Sequence, residues 1–212
     1  MGGVIRIVVL CGLLAVVGER VPGADVSRAD EGTHARAAAA TALAEADRLD
    51  EPRVRKATLD RAVALAERAV QLDEDNAEGH YLLFCIVGRL AEMQNPLRQA
   101  MALPRLWREV DRTIQLDPQH ARGLSGKAEM LYRLPQLLGG DLSEAEAYAR
   151  RSLAADDTYW RAHIVLARVL IARGRPAEAE AALRALVARI DPQRDERREA
   201  LTLLAELAAR PH

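Results

Sequence analysis

In this chain of 212 residues, the side chains most able to do covalent or metal chemistry are two cysteines and five histidines. Cys85 sits among Phe84, Ile86 and Val87, the setting of a small buried hydrophobe, whereas a nucleophilic thiol wants a basic partner beside it. His80 and His163 are expected as semi-buried packing residues, His34, His120 and His212 are isolated, and no His-x-x-x-His or Cys-x-x-Cys spacing is present to hold a metal. No serine, histidine and acid set stands out as a triad. Gly123 to Lys127 ends like a phosphate-binding loop, but Ala121 stands where the first glycine belongs and Ala128 where the hydroxyl belongs. The sequence predicts no enzyme, no cofactor and no metal site.

Binding is the chemistry that remains, and the composition says which elements must present it. Half of the residues are apolar but only seven are aromatic, so the apolar content rests on Ala, Leu and Val, which favours helices over strands. Acidic and basic residues balance to a formal net charge of −1, which gives no global reason to expect nucleic acid. Near the start, Arg6 and the apolar run Ile7 to Val17 have the layout of an export signal, ended by Glu19 and Arg20. That run is too short to span a bilayer comfortably. Residues 1–24 are therefore expected to be a signal peptide, cut after Gly23 or Ala24, or an uncleaved anchor, the only contact with a membrane. This reading places the chain in the periplasm or envelope. Cys11 follows Val8-Val9-Leu10 rather than small residues, so lipidation is not expected, and with the signal removed Cys85 could form no internal disulfide. Residues 25–32 read as a flexible polar linker, and residues 33–212 as one helical domain.

Within that domain the punctuation recurs. Leu72-Asp73-Glu74, Leu116-Asp117-Pro118, Ala155-Asp156-Asp157 and Ile190-Asp191-Pro192 each end one amphipathic pattern and precede another, at spacings of 44, 39 and 35 residues. A helix-turn-helix unit of about 34 residues accounts for the last, and two inserts for the others: Met93 to Leu103 with Asn95-Pro96, and Arg133 to Gly140 with Pro135 and two glycines. From Trp160 onward, Leu166, Ala167, Leu170, Gly174, Ala179 and Leu183 place small residues where two antiparallel helices must approach and a glycine where they turn. Ala128, Leu131, Gly140, Ala145 and Ala149 repeat the scheme. Ser143 and Glu146 have capping-box spacing at the start of the second helix of that unit. The unit from Ala77 lacks the small residues, which predicts a splayed pair. Residues Arg194 to Arg210 read as a terminal cap.

These residues resemble the tetratricopeptide repeat superfamily, most closely over Trp160 to Pro192. The resemblance implies an all-α, right-handed α-solenoid of about four helix hairpins plus a C-terminal capping helix, acting as a scaffold for another protein. It also implies that the first helix of each pair lines a concave groove. Counting from Ala77, Ala121 and Trp160 then places Glu78, Tyr81, Arg122, Glu129, Tyr132, Arg161 and Arg168 in it, with Arg89 and Arg133 one position further on. Arginine grips carboxylates in bidentate fashion and tyrosine adds rigid contact area, so the expected partner is a protein or peptide with an acidic surface. Trp107 is expected to pack rather than bind. The Lys and Asn with which chaperone-binding relatives hold a carboxylate are not in place. The segment Leu134 to Asp141 and the export signal are also similar to envelope proteins of the TRAP-transporter-associated T-component kind. That likeness implies an alternative role as an accessory to periplasmic solute transport, binding a small ligand or its binding protein. A groove closed by the two inserts would favour the alternative; an open one favours peptide binding.

Overall fold

The computed structural model describes residues 22–209, all in helices, turns and short connections. Most helix starts carry a side chain that accepts from the otherwise unpaired N–H groups of the first turn. Pro52–Leu72 (α2) is capped by Glu51, Ala77–Glu92 (α3) by Asn76, Pro96–Leu116 (α4) by Asn95 and Ala121–Arg133 (α5) by His120. Leu142–Ala155 (α6) begins at Asp141, whose carboxylate takes both Ser143 N–H at 2.7 Å and Glu144 N–H at 2.9 Å. The capping box expected at Ser143 and Glu146 does not form, because Asp141 supplies the acceptor one residue earlier. Glu146 is turned to another use.

Pro22–Ala46 (α1) pairs with α2, α3 with α4, α5 with α6, and Trp160–Ala172 (α7) with Pro176–Arg189 (α8), while Asp195–Ala208 (α9) closes the array. Among the described residues, α1 touches α3, α5 touches α7 and α7 touches α9, whereas successive even-numbered helices make no comparable contact. The array is an α-solenoid that curves with the odd-numbered helices on its concave side. Residues 25–32, expected as a flexible linker, are instead the early turns of α1. Gly32 is buried where a Cβ would lie 3.3 Å from Leu72 Cβ, and Arg28 Nη2 donates to the carbonyl of Gln71 at 3.0 Å. The polar composition was misleading because α2 offers that stretch a surface to pack on. Of the expected signal segment, residues 1–24, residues 1–21 lie outside the described residues. No described helix is long and apolar enough to cross a membrane.

Small residues set the helix spacing. Ala39, Ala42 and Ala46 of α1 share one core with Ala62 and Ala66 of α2, and Ala128, Ala145, Ala149, Ala167 and Ala179 lie buried in the core formed by α5 to α9. The α3–α4 pair, expected to splay, packs directly through Leu83, Ile86, Val87 and Leu106. Phe84, standing where a small residue belongs, is accommodated by α5: a Cβ on Gly126 would lie 2.7 Å from Phe84 Cε1. Of the two inserts, only Arg133 is also counted among the groove positions. Met93 to Leu103 mostly lengthens α4 at its start, and Gln136–Leu138 forms a 3-10 turn whose Gly139 lies against the half-buried Trp107 of α4. Trp107 packs, as expected.

Candidate groove site

The concave faces of α3, α5 and α7 carry the expected residues, but they divide into separate groups. In the first, Arg122 Nη2 donates to Glu78 Oε2 at 2.6 Å, and its guanidinium lies 5.0 Å above the Tyr81 ring. His120 completes this group. Its Nδ1 accepts the Gly123 N–H at 3.0 Å to cap α5, which leaves Nε2–H to donate to Glu78 Oε2 at 3.1 Å. Burial works to raise the Glu78 carboxyl, but the bonds from His120 and Arg122 outweigh it and hold the group below the usual carboxylate range. Cys85 and Tyr159, the residue just before α7, lie beside Tyr81, whose phenol burial pushes up.

The second group gathers around Glu129 of α5. Arg161 Nη2 stands 3.5 Å from Glu129 Oε2, while Arg133 Nη1 and Arg168 Nη1 stand 3.8 and 4.0 Å from Oε1. Arg168 also pairs with Glu199 of α9 at 2.7 Å, and Arg133 approaches Glu92 at 3.6 Å. Arg89 is apart from both groups, held by Asp47 at 3.1 Å. Tyr132 packs against the core of α5 to α9. Counting five arginines against two glutamates in the groove made it look basic. Asp47, Glu92 and Glu199, from positions outside that count, balance the strip.

Sequence reasoning missed Tyr159 and His120 as groove residues because each precedes the helix from which groove positions are counted, and missed Cys85, the ninth residue from Ala77, because its apolar neighbours read as core. The Asp-Asp-Thr-Tyr turn before α7 carried no signal for a contact with α3. The Cys85 thiol is pushed up by burial, which keeps it from acting as a thiolate. His80, expected to pack, is buried with Nδ1 2.8 Å from Glu109 Oε2 and Nε2 3.1 Å from the Glu74 carbonyl oxygen, so both ring nitrogens are spent inside the fold. It forms part of the floor of an outer cleft of about 510 Å³ between α2 and α4. His163 stacks on Trp160 at 6.0 Å.

The other polar centre is on the far side of the helix pairs. Glu146, with its side chain only 8% exposed, receives Arg150 from its own helix and both Arg173 and Arg175 from the turn between α7 and α8, the last at 2.7 and 2.9 Å. Burial raises this carboxyl and the arginine bonds outweigh it, leaving it below the usual range. Its signal in the sequence was an arginine four residues on and two arginines flanking Gly174.

Residues 136–207 match the tetratricopeptide repeat family. Among solved structures, the chain is similar to TTC0263, a thermophilic TPR protein of Thermus thermophilus, with 18% identity over 85% of this chain and 99% of that one and a TM-score of 0.59. A second similar structure is YrrB, a TPR protein with an unusual peptide-binding site, at 17% identity, 68% and 82% coverage and a TM-score of 0.40. No curated protein matches the chain. The first structure shows the fold, an α-solenoid of helix hairpins, and the family match covers the C-terminal third of the chain.

Proposed function

We propose that this protein is a non-catalytic scaffold of the cell envelope that holds a partner protein or peptide in its concave groove. The observation that carries the reading is the row of half-exposed arginines and a tyrosine on α3, α5 and α7, facing one continuous surface rather than an enclosed chamber. Met93 to Leu103 mostly lengthens α4, and of Arg133 to Gly140 only Arg133 is counted among the groove positions, which supports an open groove. That geometry supports an extended peptide over a small ligand, and with it the scaffold over a solute-transport accessory. The imidazoles of His80 and His120 and the thiol of Cys85 serve packing and capping, which supports a role without covalent chemistry. Arg6 and the apolar run Ile7 to Val17 support export. The groove's guanidiniums suit carboxylates on the partner.

The test is capture from envelope extracts by the full chain, identification of the captured protein, and reconstitution with that protein purified. Exchange of Arg122, Arg161 and Arg168 together for Glu abolishes binding if the groove is the site. Undiminished binding moves the interface to the outer layer.

A further inference from the structure

The geometry points to a carboxylate-reading subsite at the α5–α7–α9 end of the groove, where Arg133 and Arg161, with Arg168 behind them, take one acidic side chain of an extended peptide. The inference rests on the groove reading above and narrows it to one part of the surface.

The groove arginines are not equivalent. Arg122 is committed, with a 2.6 Å bond to Glu78 and its face on Tyr81. Arg89 is held by Asp47 at 3.1 Å. Around Glu129 the situation differs: three guanidiniums share one carboxylate, and their separations of 3.5, 3.8 and 4.0 Å leave at most one of them, Arg161, at the outer limit of a hydrogen bond. Arg133 reaches its other acid, Glu92, only at 3.6 Å. A guanidinium carries five N–H donors in a planar fork that suits a carboxylate in bidentate fashion. The forks of Arg133 and Arg161 are thus turned toward a shared acid without closing on it, and their side chains are 58% and 43% exposed. Glu129, 19% exposed, is the fixed carboxylate that gathers them, and it repels the incoming one. Arg168 is anchored by Glu199 at 2.7 Å and braces the set.

The probe is a fluorescein-labelled dodecapeptide of alternating Glu and Ala with an amidated C-terminus, followed by fluorescence anisotropy with the full chain. Two further peptides replace Glu by Gln, one amidated and one with a free terminal carboxylate. The Glu peptide binds, and both Gln peptides bind at least about tenfold more weakly. Arg133→Gln and Arg161→Gln each weaken the Glu peptide by about tenfold, whereas Arg184→Gln, at an exposed arginine of α8, changes it by less than about threefold. Glu129→Gln removes the competing charge and tightens binding several-fold, a gain that no misfolded variant would give. Circular dichroism of each variant confirms the helical fold. Equal binding of the amidated Gln peptide, equal loss from Arg184→Gln and Arg161→Gln, or weaker binding by Glu129→Gln each overturns the subsite. Binding of the free-terminus Gln peptide as tightly as the Glu peptide overturns it in favour of a chain terminus. If none of the three peptides binds, the subsite is overturned while the groove reading stands or falls on the capture experiment.

Discussion

Glu146 shows how a single residue is misjudged from spacing and then explained by contacts. Three residues after Ser143, it fits a capping box, but Asp141 caps α6 and frees Glu146 to bind three arginines drawn from two hairpins. Removing the charge strands those guanidiniums against a buried site. Glu146→Gln is expected to cost about 2–3 kcal/mol, less than a fully buried pair because the arginines are partly exposed. Urea unfolding measures this. The same carboxylate gives a pH dependence of known sign. Glu78, Glu109 and Glu146 all have folded values held below the ordinary 4.5, so the stability they contribute is present above that pH and is lost as the pH falls below it through the lowered values. Midpoints of thermal unfolding followed from pH 7 downward should therefore drop below about pH 4.5, and the drop should be smaller in Glu146→Gln. A midpoint that rises on acidification contradicts the assignment.

Elements were legible wherever one hairpin contains its own signals. Ala167, Gly174, Pro176 and Ala179 specify α7, its turn and α8 without reference to the rest of the chain. Gly174 has φ of 72°, which penalises any side chain, yet nothing lies within 4 Å of a Cβ placed there. Gly174→Ala should therefore cost only about 1–2 kcal/mol. Gly140 is different: a Cβ there would lie 1.8 Å from the Leu134 carbonyl oxygen, so Gly140→Ala must displace the 134–141 turn that orients α6. Its midpoint for unfolding should fall further than that of Gly174→Ala, and equal losses would contradict the packing described for the insert. What the sequence hid was cooperation between units. Phe84 looked like a failure of α3 to pack on α4, because the glycine that receives its ring, Gly126, belongs to the next hairpin. The helical start of α1 was hidden for the same reason, since its partners Leu72 and Gln71 come some forty residues later.

At the scale of the whole molecule, curvature follows from small residues between paired helices and from the α1–α3, α5–α7 and α7–α9 contacts, which the even-numbered helices do not match. Curvature makes a groove, and Tyr159 brings the turn before α7 close to Tyr81 of α3. Tyr159→Phe keeps the ring and removes the hydroxyl, so partner affinity is expected to fall by a few-fold with little change in unfolding midpoint, as one neutral hydrogen bond is worth about 1 kcal/mol. Titration calorimetry with the purified partner reads it. The positions assigned to the groove from the repeat fall on α3, α5 and α7, whereas the charge around them was not legible, because Asp47, Glu92 and Glu199 enter from outside the counted positions. The most direct measurement is site-specific photo-crosslinking to the partner, with the reactive group placed at Arg161 or Arg122 on the concave side and at Arg112 or Gln115 on the outer side. The groove account predicts adducts from the first two positions and none from the others. Adducts confined to Arg112 and Gln115 would contradict it.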